Sequence, residues 1–264
     1  MTQNPVRMII NGDVQEPQLR DAAEPAANAS LVSCLMVTGS RPKRARLAIE
    51  CFLRQTYERR ELVIVDDGTS DELADHVARL ADQRIHMVRL PSDDLSLGQL
   101  RNIAVDHAQG DVVCQWDDDD LSDPARLTEQ AGLLLELDLD ACFLERWTMV
   151  WTDGPRVGIG TRRLWEGSMV ARRTSLPRYP DLRRGEDSPV AEELATKGRV
   201  ALLDRPDLYI YLVHGANTFP QTHFDAHWAA ASDRFDDAAA EIHRLQLRVP
   251  IQEALAIVDE EHAN

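Results

Sequence analysis

Short apolar runs alternate with amphipathic stretches along this chain, most regularly between Leu31 and Leu137. Residues 31–37, 61–65, 85–90 and 112–116 have the length and continuity of buried strands. Between them apolar positions recur at helical spacing. Pro42 suits a first helical turn, with Ala45, Ile49, Phe52 and Leu53 on one inner face. Leu73, Val77 and Leu80 mark a second helix, residues 99–108 a third and 124–137 a fourth. Strands alternating with helices in this way predict an α/β fold, a mostly parallel sheet flanked by helices.

The second half is less regular. Residues 141–151, 167–171 and 208–213 read as strands. Gly185-Glu186-Asp187-Ser188-Pro189 opens a helix, with Ser188 as N-cap and Pro189 in the first position, and Gly198 closes it. Residues 223–246 are alanine-rich and amphipathic, with Phe224, Trp228, Phe235 and Ile242 near one face. The expected organisation is a loose N-terminal arm (1–30) with a short strand at Val6–Ile10, then a catalytic-sized domain (31–222). That domain divides into halves at 31–137 and 138–222, and a C-terminal helical extension follows (223–264).

Composition narrows the function. A formal net charge of -16 argues against wrapping nucleic acid, which requires a basic stripe, but leaves room for a nucleotide held through a metal. The cysteines Cys34, Cys51, Cys114 and Cys142 are widely spaced and read as buried, reduced thiols rather than zinc ligands. No apolar stretch reaches the roughly 18 residues that span a bilayer, and the start lacks a signal-peptide core. The expectation is a cytoplasmic protein without a transmembrane segment, peripheral at most to the inner membrane face.

Four consecutive aspartates, Asp117 to Asp120, follow the strand at 112–116 directly. Such a cluster repels itself unless a cation is present, and hard divalent metals prefer carboxylate oxygen. The same pattern puts Thr38, Asp66 and Asp67 at the carboxyl ends of their strands, where open α/β sheets bind ligands. A solvated acidic loop is the plain alternative. A calcium loop starting at Asp118 fails, because Asp123 replaces the turn glycine and Pro124 follows.

Several segments resemble family 2 glycosyltransferases of the GT-A fold. Val63-Ile64-Val65-Asp66-Asp67-Gly68-Thr69-Ser70-Asp71 is similar to the family's VVDDGSTD segment, and Arg101-Asn102-Ile103-Ala104 with Gly110-Asp111 to its RN…GD stretch. Asp117 to Asp120 with Leu121-Ser122-Asp123-Pro124 resembles its DXD metal motif. Glu186-Asp187 resembles the acceptor-side ED pair, and His214-Gly215-Ala216-Asn217-Thr218 the H-G-N-T/S stretch. Residues 31–220 carry these in order. Val37-Thr38-Gly39-Ser40 departs from the usual aromatic-asparagine pair.

The resemblance implies a metal-dependent, inverting transfer of sugar from a nucleotide diphosphate, with UDP as the expected nucleotide, to a saccharide, lipid-linked or small-molecule hydroxyl. It implies Asp119 as chief ligand to Mn²⁺ or Mg²⁺, with Asp117 and His214 completing the shell. Asp117 and Asp118 would contact ribose or metal-bound water, Asp67 the uracil, and Thr38 the nucleoside pocket. Asp66 shares that edge, although a turn and helix cap explain it equally. Arg101 would pair with diphosphate or with an aspartate of the site. Asp187 would be the catalytic base, and Glu186 and Trp165 would lie on the acceptor side. Trp147 reads as core, and His214 as a structural histidine if not a ligand. Two alternatives stand beside this: a sugar-nucleotide-binding module without transfer, and a sugar-1-phosphate nucleotidyltransferase, which Thr38-Gly39-Ser40-Arg41-Pro42-Lys43 superficially resembles. The C-terminal helix could serve as a dimer face.

Overall fold

The computed structural model describes residues 5–15, 30–39, 41–90, 94–154, 156–215 and 217–262, with side chains to 257. Most of the expected N-terminal arm, together with Ser40 and Ala216 of the motifs, lies outside the described residues. The chain opens with a hairpin of β1 (Val6–Ile10) and β2 (Asp13–Gln15), then β3 (Val32–Thr38), α1 (Pro42–Leu53), β4 (Arg60–Asp66), α2 (Glu72–Leu80) and β5 (Ile85–Arg89). There follow α3 (Leu97–His107), β6 (Val112–Gln115), β7 (Leu121–Ser122), α4 (Arg126–Glu136), β8 (Ala141–Leu144), β9 (Thr148–Trp151), β10 (Arg156–Ile159) and β11 (Trp165–Arg172). The remainder is α5 (Asp187–Lys197), β12 (Arg199–Leu203), β13 (Tyr209–Val213), α6 (Gln221–Ala230), β14 (Asp233–Arg234), α7 (Ala238–Gln246) and α8 (Ile251–His262).

Nine strands form the central sheet in the order β2-β1-β12-β8-β11-β6-β3-β4-β5. The four from β6 to β5 are mutually parallel, so their carboxyl ends share one edge. β11 runs antiparallel to both of its neighbours, as does β1, so antiparallel strands extend the parallel block on one side. The apolar runs of β3, β4 and β6 are buried, apart from the half-buried Val37, because both faces are covered. One face packs Ala45, Ile49 and Phe52 of α1 with Leu127 and Leu134 of α4. The other packs Leu100 and Ala104 of α3 with Val190, Ala191 and Leu194 of α5. α3 begins with a reciprocal cap, in which Ser96 Oγ accepts from the Gln99 N–H and Gln99 Oε1 from the Ser96 N–H.

A second sheet, β14-β10-β9-β13-β7, stands beside the carboxyl edge. Its closing pair brings Tyr209 opposite Ser122, immediately beyond the four aspartates. Arg126 is fully buried behind that pair. Its guanidinium lies between the rings of Trp116 (5.2 Å) and Tyr209 (4.7 Å) and donates to Ser122 Oγ and the Gln115 carbonyl.

Four expectations change. The strand expected at Val6–Ile10 is β1, but residues 5–15 are not a loose arm, since β1 pairs antiparallel with β12 at the sheet's far side and β2 pairs with β1. The expected strand at 141–151 is two strands in different sheets, separated by the Glu145-Arg146-Trp147 corner. α5 begins one residue ahead of Ser188, with Glu186 in the cap position, because the two acids face the site and leave Ser188 exposed. The helix at 223–246 breaks into α6 and α7: Asp233-Arg234 adds to β10, and Asp237 caps α7 by accepting from the Ala240 N–H. Phe235, expected on the apolar face, is exposed, whereas Phe224 and Ile242 are buried. Beyond α7, Arg248 donates through Nε and Nη2 to the buried Asp123 carboxylate (2.6 Å from Nη2), which ties the C-terminal segment to the start of α4.

Gly98, in the first turn of α3, allows close approach of the segment that leads to α5. A Cβ there would collide with the Pro180 carbonyl oxygen. Gly98→Ala should therefore destabilise the fold by about 1–3 kcal/mol, the usual cost of overpacking. Urea unfolding would read this as a lowered midpoint with unchanged slope.

Candidate active site

After β6 the chain turns through Trp116, which is buried and donates its indole N–H to the Ala48 carbonyl of α1. That anchor holds the turn, and the four carboxylates diverge from it. Asp117 Oδ1 accepts from Arg101 Nη2 (2.9 Å), and its Oδ2 lies 2.9 Å from the Tyr209 hydroxyl. Asp118 accepts from Thr38 Oγ1 (2.6 Å) and Arg41 Nη2 (2.7 Å). Asp119 Oδ2 accepts from Arg41 Nη1 (2.6 Å) and lies 3.2 Å from His214 Nε2. Asp120 Oδ1 accepts from the Leu212 N–H, and its Oδ2 is 2.6 Å from the Tyr209 hydroxyl.

Burial and proximity split the protonation of this cluster. Burial, then Asp119, pushes the Asp118 carboxyl up to about 7 against the pull of Arg41. Burial also raises Asp119, but Arg41 and the His214 hydrogen bond outweigh it and hold that carboxyl below the ordinary range. Asp120 is held well above its usual value by burial and by its neighbours Asp119 and Asp117. The Tyr209 phenol has one proton and two carboxyl partners. A neutral Asp120 donating to the phenol oxygen leaves that proton for Asp117, which satisfies all three groups.

Arg101 joins this cluster to the second half of the chain. Its Nη2 binds Asp117, and its Nε donates to Glu186 Oε1 at 2.6 Å. Asp187 is half-buried alongside. Burial, opposed by Arg101 and assisted by Glu186 and Asp117, pushes its carboxyl up to about 6. Asp117 to Asp120, Arg101, Glu186, Asp187 and Arg41 all line one cavity of about 260 Å³. Its opposite wall is aromatic. Trp147 and Trp165 stack with ring centroids 4.1 Å apart, and the Arg163 guanidinium lies 5.4 and 5.2 Å from them. His223 and His227, 3.1 Å apart, complete that wall from α6.

Thr38, Asp66 and Asp67 lie outside this lining. Thr38 reaches the site through Asp118. Asp66 accepts from the Gly68 N–H at 2.9 Å, which caps the turn after β4. Asp67 packs against Gly39, where a Cβ would strike its carboxylate. His214 is buried behind Asp119, and its N–H donates to Asn217 Oδ1, whose amide donates back to the Leu212 carbonyl. This pair of bonds accounts for the histidine-to-asparagine spacing. Trp165 lines the cavity, and Trp147, read as core, is both buried and part of the wall.

Asp119 and His214 make an adjacent carboxylate–imidazole pair, which would hold a divalent ion once it replaced Arg41 on Asp119 Oδ2. Asp117 does not join them, because Arg101 and Tyr209 take its oxygens. Among the described residues no group of three His, Cys, Asp or Glu side chains is gathered to hold a metal. Arg41 supplies positive charge at that corner instead. Arg41 entered the sequence reading only within the segment that resembles a nucleotidyltransferase opening, Tyr209 carried no signal, Gln115 read only as a strand residue, and the helical spacing of His223 and His227 is the one clue that could have found that pair.

A family model described as glycosyl transferase family 2 matches residues 33–171. A candidate colanic acid biosynthesis glycosyl transferase of Escherichia coli K12 is 37% identical over 105 residues, 38% of this chain and 37% of that protein. A UDP-Glc:alpha-D-GlcNAc-diphosphoundecaprenol beta-1,3-glucosyltransferase of Escherichia coli is 30% identical over 108 residues, 40% of this chain and 42% of that one. The match thus spans less than half the length of these curated relatives. Among solved structures, Staphylococcus aureus TarS 1-349 superimposes with a TM-score of 0.57 at 18% identity, over 69% of this chain and 60% of that one. Its complex with UDP-GlcNAc gives 0.57 at 16% identity, over 81% and 70%. The α/β architecture is that of the GT-A fold.

The raised Asp187 carboxyl has a consequence for stability. In the unfolded chain it titrates near ~4, whereas in the fold it does so at about 6. The folded state therefore binds the proton more tightly. Its stabilising contribution is full below the unfolded value and is lost as pH rises through 6. Asp187→Asn should flatten the decline of unfolding free energy between pH 4 and 7 relative to wild type, measured by denaturant titration at several pH values. Identical slopes would place the carboxyl in its ordinary range.

Proposed function

Because the chain belongs to glycosyl transferase family 2, we propose that its cavity binds a nucleotide-diphosphate sugar, UDP-linked, and transfers the sugar to an acceptor hydroxyl with inversion. The observation that carries this reading is Asp187. It is a half-buried carboxylate on the cavity wall with its carboxyl up at about 6, next to Glu186, which Arg101 ties to the aspartate cluster. A base for an alcohol proton works best when its pKa is close to the operating pH.

Arg41 and Arg101 are placed to receive the diphosphate as negative charge grows on it, since fixed cations aimed at developing charge lower the barrier. A divalent metal beside Asp119 and His214, when bound, adds charge neutralisation at the same leaving group. Asp187 takes the acceptor proton as the acceptor oxygen attacks the anomeric carbon opposite the departing diphosphate. Glu186, held by Arg101, keeps Asp187 oriented at the first turn of α5. The stacked Trp147 and Trp165 rings offer a flat apolar face to a sugar acceptor. UDP is favoured because TarS was crystallised with UDP and with UDP-GlcNAc, and a relative is named for UDP-Glc. Relatives named for colanic acid and O-antigen biosynthesis favour a role in polysaccharide synthesis. Four buried, unpaired cysteines suit a cytoplasmic site of action, and no described helix is long and apolar enough to cross a membrane.

Asp187→Asn should bind UDP in Mn²⁺ within about twofold of wild type while losing on the order of 10²–10⁴ in transfer rate. In wild type the rate should rise with pH through about 6, as the base form populates. A binding module without transfer would show UDP affinity and neither donor consumption nor this profile. Asp119→Ala should lose the Mn²⁺-dependent part of UDP binding in calorimetry, and retention of it would remove Asp119 as a ligand.

A further inference from the structure

Gln115 is 2% exposed, yet it lines the cavity, and its side-chain oxygen has no hydrogen-bond partner among the described residues. Its amide nitrogen faces Asp117 Oδ1 at 3.5 Å, which sets the orientation of the group: the N–H₂ toward the carboxylate, Oε1 elsewhere. Buried polar atoms left in this way cost roughly 1–3 kcal/mol and call for an explanation. The backbone around it is fully engaged, since its carbonyl accepts from Arg126, so the side chain is held in place rather than frayed.

Position decides what this oxygen meets. Under the reading above, the diphosphate lies at the Arg41–Asp119 corner and the acceptor proton leaves to Asp187. The sugar being transferred must then sit between them, against Asp117 and Glu186. Gln115 belongs to that stretch, sharing Asp117 Oδ1 with Arg101. Gly167 lines the cavity on the same side, next to Asp117 Oδ2. We propose that Gln115 is a specificity-determining residue whose Oε1 accepts a hydrogen bond from the transferred sugar, given by a ring hydroxyl or an acetamido N–H. The inference rests on the proposed function.

The test is calorimetry in Mn²⁺ with UDP, UDP-glucose and UDP-N-acetylglucosamine on wild type and Gln115→Met, a substitution close in length that removes the acceptor oxygen. One of the two sugars should tighten wild-type binding over UDP. Gln115→Met should lose about tenfold of that gain while its UDP affinity is unchanged, the size expected for one hydrogen bond to a buried polar group. UDP binding also reports that the variant is folded. If it is not, monodeoxy analogues of the favoured sugar on wild type give the same answer: one should bind about tenfold more weakly. The comparison between the two sugars tells hydroxyl from acetamido as the donor. A gain intact in Gln115→Met, no sugar-dependent gain in wild type, or deoxy analogues that all bind equally would each overturn the role of Gln115. Absence of UDP binding altogether would instead overturn the functional reading beneath it.

Discussion

Four carboxylates in a row cannot all be charged and buried at one point. Two unit charges 4 Å apart repel by about 4 kcal/mol at an effective dielectric of 20, and a domain has a net stability of only about 5–15 kcal/mol. The turn after β6 is folded around this constraint. Arg41 spans two of the acids, Arg101 takes a third, and Asp120 escapes by staying neutral against Tyr209 and a backbone N–H. Remove either arginine and the strand end that bears the site is under internal repulsion.

The same solution joins the two halves of the chain. Arg101 comes from a helix on one face of the sheet and holds Asp117 from β6 and Glu186 from the start of α5. The acid proposed as base therefore has its place set by the charge balance of the nucleotide side. Tyr209 comes from the second sheet and is backed by the buried Arg126, whose charge is satisfied by aromatic faces and neutral oxygens rather than by an acid. Binding and reacting groups are thus parts of one electrostatic assembly.

Much of the first half was legible because period and burial agree there. β3, β4 and β6 read as apolar runs since both faces are covered, and α1 and α3 read as amphipathic since one face is. The strand ends carried Thr38, Asp66, Asp67 and the aspartates to one edge as the pattern implied. Two short strands of the second half were not legible. β10 and β12 are four and five residues long, and their pairing involves distant partners, β14 and β1 respectively. Within the site, acids announced themselves by clustering. Arg41 pointed only to the rival nucleotidyltransferase reading and Tyr209 to nothing, because an arginine before a proline and a tyrosine in an apolar strand have many ordinary uses. Gln115 was hidden for the opposite reason: a polar residue inside a buried run reads as noise until its unpartnered oxygen is seen.

Arg248, in the loop before α8, grips Asp123, three residues beyond the last acid of the cluster and one turn ahead of α4. The end of the chain is thereby moored to the rim of the reaction chamber. Ile251 and Ala254 of α8 are meanwhile buried in the main core beside α1, so the final helices brace the acidic turn through an apolar seat as well as through a guanidinium.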